Sequence, residues 1–202
     1  MDRHGYSQFG EHLDITELTQ DIQNGYACDV GAYDGVTLNN TLHLEEKGWT
    51  VLCVEANPLC AGKLTLNRKL VRMVACGREN LDAHPFTVVE TNTPNNYSAA
   101  SALNLSEDRP KHADEKIIGE FSVPVRMLDV LLKGAGFPRL DVLNIDVEGG
   151  EADVLSGFDI AWWSPRVIVI EDWKGGRFRS QMAENGYHLY RHRECNEVYR
   201  RA

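Results

Sequence analysis

Acidic residues fall where apolar runs end. Asp29 lies at the end of Tyr26–Val30, Glu55 closes Thr50–Val54, Asp146 closes Leu140–Ile145, and Glu171 with Asp172 closes Val167–Ile170. If these runs are strands of an open parallel sheet, the carboxylates project toward one edge, the edge outside the strand ends where such sheets bind ligands. Acids gathered there can hold a cationic ligand, take a proton, or bind a hard metal ion. Asp146 is the first candidate for a general base, with Glu171 and Asp172 from the neighbouring strand end able to share that work. The same three, Asp146, Glu171 and Asp172, are an oxygen-only donor set that suits Mg²⁺.

The turn after the first run reads Asp29-Val-Gly31-Ala-Tyr-Asp-Gly35. A dinucleotide fold wants G-x-G-x-x-G, whose second glycine lets the backbone approach a pyrophosphate. Here Ala32, Tyr33 and Asp34 separate the glycines, an acid stands just upstream, and no Arg or Lys is near in sequence. A cofactor with a cationic end and no phosphate fits better, and S-adenosyl-L-methionine carries an ammonium, a sulfonium and a ribose. Asp29 is expected at its amino-acid end, with Gly31 letting the main chain lie against it. Glu55 follows Asp29 by 26 residues, where a carboxylate offers two acceptors to vicinal ribose hydroxyls.

The elements that must position these groups alternate. Tyr26–Val30, Thr50–Val54, Val71–Cys76, Leu140–Ile145 and Val167–Ile170 read as strands, the last two apolar enough to be covered on both faces. Helical spacing appears over Thr37–Glu46, ended by Gly48, and over Met127–Ala135, where Leu128, Leu131, Leu132 and Ala135 share a face. Asn57 and Pro58 supply a cap and first residue for another helix. The predicted architecture is α/β: a Rossmann-like, doubly wound, mostly parallel sheet that closes in a C-terminal antiparallel hairpin (Tyr187–Tyr190 and Val198–Tyr199). We expect one domain over residues 1–202, a helical N-terminal segment at about 1–24, and a lid or substrate loop at about 91–120, where Asn, Pro and Ser interrupt any periodicity.

The 202 residues, 43% hydrophobic and 25% charged, describe an ordinary globular chain rather than a disordered, collagenous or coiled-coil one. Its net charge of -9 repels a phosphate backbone, so nucleic acid is not an expected partner. No run reaches the ~20 apolar residues of a membrane span. Five cysteines without a C-x-x-C pair, three of them inside apolar runs (Cys28, Cys53, Cys76), read as buried thiols in a reducing, cytoplasmic setting. His43, His188 and His192 show no metal-ligand spacing, and Trp162, Trp163 and Trp173 are expected mainly in core packing.

Several motifs recur together in one order. Tyr6-Ser-Gln-Phe-Gly-Glu11, Asp29–Gly35, Asn39-Asn40-Thr41, Val54-Glu-Ala-Asn-Pro58, Asn144-Ile-Asp-Val-Glu-Gly149, Val154-Leu-x-Gly157-Phe-Asp159, Ile170-Glu171 and Glu184-Asn-Gly-Tyr187 resemble the FkbM-type methyltransferases over nearly the whole chain. The resemblance implies an S-adenosylmethionine-dependent O-methyltransferase acting on a small-molecule, sugar or polyketide hydroxyl. Carried over, it implies cofactor contacts at Asp29, Gly31, Ala32, Tyr33, Asn40, Glu55, Ala56 and Asn57. It also implies Gln8 and Glu11 over the cofactor's amino-acid end, and Asp146 facing the transferred methyl group. The family's small residue and acid after the third strand are replaced by Ala75-Cys76-Gly77-Arg78, which puts Cys76 at the adenine position. Two alternatives stand beside this reading. A nicotinamide-dependent oxidoreductase shares the α/β pattern but would want the missing turn glycine and a Tyr/Lys pair. A non-catalytic binding module would have no use for Asp146 and Glu171.

Overall fold

The computed structural model describes residues 6–90 and 115–202. Its main sheet has seven strands in the order β3-β2-β1-β7-β8-β10-β9. These are β1 (Tyr26–Val30), β2 (Thr50–Glu55), β3 (Leu70–Met73), β7 (Val142–Ile145), β8 (Val167–Glu171), β9 (Tyr187–Arg193) and β10 (Asn196–Arg201). β3, β2, β1, β7 and β8 run parallel, while β10 is antiparallel to both β8 and β9. The predicted class and the closing hairpin are both present.

Alternation along each strand divides the core in two. Cys28, Val30, Leu52, Val54, Leu143, Ile145, Ile168 and Ile170 face Leu128, Leu131 and Leu132 of α4 (Leu128–Gly134) and Val154 and Leu155 of α5 (Glu151–Ser156). Ala27, Val51, Cys53, Val142, Val167 and Val169 face Ile15 of α1 (Glu11–Leu18), Leu44 of α2 (Leu42–Glu46) and Leu64 of α3 (Ala61–Asn67). Helices therefore cover both faces, which is why β7 and β8 are wholly buried. All five cysteines are free and buried. Among the described residues, no helix is long and apolar enough to cross a membrane.

Three expectations are corrected. The helix predicted from Thr37 starts only at Leu42, because the backbone before it turns on polar side chains. Asp34 Oδ1 accepts from Val36 N and Thr37 N, and Asn39 Oδ1 from Thr41 N and Leu42 N. The run Val71–Cys76 is two strands, β3 at the edge of the main sheet and β4 (Ala75–Cys76) in a second sheet of order β4-β6-β5. Finally, β5 (Leu81–Glu90) and β6 (Lys116–Arg126) pair antiparallel, so residues 116–120 of the expected lid are strand; its residues 91–114 lie outside the described residues. Of the N-terminal segment, Glu11–Leu18 is helix. Asp14 on that helix pairs with Arg193, and Glu11 Oε1 accepts from Asn196 Nδ2 at 2.7 Å, so α1 is fastened to β9 and β10.

Candidate active site

Strand order reverses between β1 and β7, since β2 and β3 extend the sheet to one side of β1 and β7 and β8 to the other. The crevice at such a reversal is where doubly wound sheets bind ligands. Gly31 follows β1 at this reversal with φ +87°. Its N–H donates to Val54 O at 2.9 Å, and a Cβ placed on it would lie 1.6 Å from Asp146 O. The glycine is thus required by the approach of the chain leaving β7. This one residue draws the ends of β1, β2 and β7 together.

Glu55, at the end of β2, is held by both oxygens. Oε2 accepts from Tyr33 N and Oε1 from Asn57 N, each at 2.7 Å. Tyr33 reaches that bond through a left-handed backbone, φ 52°. Burial pushes the Glu55 carboxyl up to about 7. Asn57 also caps the following turn through Leu59 N, as expected of it, although that turn is a short 3₁₀ segment (Pro58–Cys60). Ala32 packs into the α1–α3 side of the core and Ala56 against the second sheet's core, so their side chains serve packing.

Asp29 is in a different situation. Its side chain is buried, with Oδ2 accepting from Asn39 Nδ2 (2.8 Å) and Thr41 Oγ1 (2.7 Å), and Oδ1 from Asn144 Nδ2 (2.8 Å). Arg68, also buried, lies 3.9 Å from Oδ2, bonds Asn39, Thr41 and Gly35 O, and pairs with Glu45 at 3.0 Å. Asn40 joins through Asn144 Oδ1. Asp29 therefore spends its acceptors on the loop before α2 and on β7. The partners Asn39, Thr41 and Asn144 stood in the quoted motifs, but Arg68 did not, and nothing in its surroundings in the chain marks it.

Asp146 and Glu171 meet at the ends of β7 and β8, joined by Glu148, which the sequence reading missed. One carboxylate oxygen from each of the three lies within 4.8 Å of the others. Glu148 is turned in by a left-handed backbone (φ 56°) followed by Gly149 (φ 103°). Glu151 holds that loop, its Oε1 accepting from Val147 N and Gly149 N while Arg177 pairs with its Oε2 at 2.8 Å. The acid–x–acid spacing of Asp146 and Glu148 was the available signal. Burial, reinforced by Glu151, pushes Asp146 up to about 7; burial and the facing Asp146 hold Glu171 well above the usual carboxylate range. Asp172 does not join them: its Oδ2 accepts from Arg177 N at 2.7 Å, and its N–H donates to Cys195 O. The expected metal set therefore changes by one residue, Glu148 for Asp172.

Among the remaining candidates, Glu11 lies near enough for its charge to act on Asp146. Gln8 is exposed, and Glu11 is buried with both oxygens occupied by Asn196 and Phe9 N. Cys76 lies in the core beside Cys28, its thiol pushed up to about 12 by burial. Trp163 is core, but Trp162 and Trp173 are exposed, against the expectation of packing. His43 is buried between Tyr6 and His12 and pushed down to about 3 by burial, hence uncharged.

Residues 29–189 match the family model of the methyltransferase FkbM domain. The chain is 27% identical to methyltransferase sdnD of Sordaria araneosa, over 92% of this chain and 81% of the relative. It is 29% identical to the 2-O-methyltransferase NoeI of Sinorhizobium fredii, over 71% of this chain but only 61% of that protein. Among solved structures, the methyltransferase FkbM of Methylobacillus flagellatus KT superposes with a TM-score of 0.54 at 14% identity, covering 89% of this chain and 44% of the other. That last likeness concerns the fold.

Proposed function

The chain belongs to the FkbM methyltransferase family, and from that premise we propose that it transfers a methyl group from S-adenosyl-L-methionine to a hydroxyl of a small molecule, a sugar or a natural product. The observation that carries the proposal is the junction at Gly31, which gathers the ends of β1, β2 and β7 and with them Glu55 and Asp146. Names among the relatives support the transferred group, and NoeI supports oxygen as the acceptor.

The bound cofactor supplies an electrophilic methyl group on a sulfonium. The chain supplies the rest. Glu55 is oriented by two backbone N–H groups, and a carboxylate keeps further lone pairs after accepting two bonds, which suits it to the two ribose hydroxyls. Asp29 acts as a positioning residue: it fixes the Asn39–Thr41 turn and Asn144 instead of touching the ligand. With cofactor and acceptor bound, the carboxylate of Asp146, with Glu171 beside it, would take the proton that the acceptor hydroxyl loses as it receives the methyl group. Orientation at near-attack distance accounts for up to ~7–11 kcal/mol of such a barrier, and proton removal by a positioned base for roughly 10²–10⁴-fold in rate. Mg²⁺ is no part of this reading and rests on a separate feature of the acids. Trp173, exposed two residues beyond Glu171, is the aromatic surface placed to meet a sugar.

The test is Asp146→Asn, assayed for transfer to a hydroxyl acceptor alongside calorimetric binding of S-adenosylhomocysteine. The proposal expects turnover to fall by about 10²–10⁴-fold with product affinity retained. Full activity in the variant would overturn the assignment of Asp146.

A further inference from the structure

The acidic trio beside the crevice has a property that proton transfer does not require. Glu171 is 5% exposed, and its Oε2 meets no hydrogen-bond donor among the described residues. A buried carboxylate oxygen without a donor costs free energy that native structures rarely leave uncompensated. Its surroundings make this worse: the charges raising the Glu171 carboxyl are Asp146, Glu148 and Glu151, all acidic. Arg177 pairs with Glu151 at 2.8 Å. By contrast, the oxygens are arranged as ligands. In an octahedral Mg²⁺ site with bonds of ~2.1 Å, neighbouring oxygens are ~3 Å apart and opposite ones ~4.2 Å. The three donor oxygens here lie within 4.8 Å of one another, so they close around one ion with small side-chain shifts.

We propose that Asp146, Glu148 and Glu171 form a divalent-cation site at the ends of β7 and β8, selective for hard ions such as Mg²⁺ or Mn²⁺. No nitrogen or sulfur ligand belongs to the trio, which disfavours Zn²⁺. Cys195 stands outside the trio, its Sγ donating to Glu171 Oε1 at 3.9 Å. One oxygen from each carboxylate leaves about three of six octahedral positions open. Those positions suit neighbouring oxygens of an acceptor, a hydroxyl and the one adjacent to it, as on a sugar ring. This acceptor clause rests on the methyl-transfer reading; the cation site does not.

The experiment titrates Mn²⁺ alone into the full chain, without cofactor or acceptor, followed by electron paramagnetic resonance of free Mn²⁺ and by thermal denaturation. One saturable Mn²⁺ per chain is expected, displaced by Mg²⁺ and accompanied by a rise in Tm. Glu148→Gln is expected to weaken Mn²⁺ at least about tenfold; Asp82→Asn, a substitution at an exposed acid far from the trio in sequence, to leave it unchanged. Should Glu148→Gln lower the Tm of the free protein, Glu171→Gln provides the second test. It replaces one carboxyl oxygen by an amide nitrogen at nearly unchanged volume, and is expected to fold normally and lose the Mn²⁺-dependent Tm rise. Absence of saturable binding to the wild type up to millimolar Mn²⁺, or equal binding by both Gln variants, overturns the site. Binding of S-adenosylhomocysteine, measured in parallel, separates the two failures. S-adenosylhomocysteine bound and Mn²⁺ not bound ends the metal proposal alone, while Mn²⁺ bound and S-adenosylhomocysteine not bound ends the methyl-transfer reading and the acceptor clause.

Discussion

Asp29 and Glu171 belong to one sheet, two strands apart, with Asp29 level with Val169 and Glu171 two residues further along, and both carboxylates are buried. Asp29 has three side-chain donors and the charge of Arg68 close by, whereas Glu171 has an oxygen without a donor among the described residues and acids on several sides. The first arrangement is what stability demands of a buried charge, and the second is what stability alone would remove. Free energy spent on keeping like charges together in a crevice is characteristic of a site that handles protons or ions. Acids that look equivalent in a sequence, each closing an apolar run, thus divide into scaffold and chemistry according to what surrounds them.

The contrast is open to direct challenge. Asp29→Ala strands Arg68 beside Glu45 alone and leaves Asn39, Thr41 and Asn144 without their acceptor. A loss of about 3–5 kcal/mol in urea denaturation is expected, and a loss under 1 kcal/mol would show the network to be dispensable. Gly31→Ala places a methyl against Asp146 O at a positive φ. The expected cost is at least about 1–3 kcal/mol, together with weaker binding of S-adenosylhomocysteine, because the β1 and β7 loops must separate. Glu55→Gln keeps the shape but replaces one acceptor oxygen by a donor, and about a tenfold weakening in calorimetry is expected, near 1.4 kcal/mol. The smallest effect concerns pH. A Glu55 carboxyl near 7 is an ionised acceptor above that pH and a protonated one below it. Affinity for S-adenosylhomocysteine should therefore fall as pH drops from 8 to 6, by a few-fold. Because Asp146 also lies near 7, the assignment depends on Glu55→Gln flattening the profile.

Much of the fold could be read from the chain because the central strands are buried on both faces. Tyr26–Val30, Thr50–Glu55, Val142–Ile145 and Val167–Glu171 each announce themselves as apolar runs. The second sheet did not, since β5 and β6 carry prolines (Pro85, Pro124), a glycine (Gly119) and bulges that break period-two alternation. The late start of α2 has a related cause: Asp34 and Asn39 satisfy backbone donors locally and compete with the helix. For the site, strand ends marked Asp29, Glu55, Asp146 and Glu171, because position along a parallel strand decides which edge a residue reaches. Orientation was not available in the same way. Whether an acid turns inward depends on loop backbone, as at Glu148, or on a distant partner, as at Asp172 with Arg177 and Asp29 with Arg68. Such pairings join residues far apart in the chain and leave no spacing to find.

Methyl transfer requires that the β1/β7 reversal accept a sulfonium cofactor and reject a pyrophosphate one. Calorimetric titration of the wild-type chain with S-adenosylhomocysteine and with NAD tests this most directly. The predicted result is one saturable site for S-adenosylhomocysteine and no measurable heat from NAD. Saturable NAD binding with none for S-adenosylhomocysteine would contradict it.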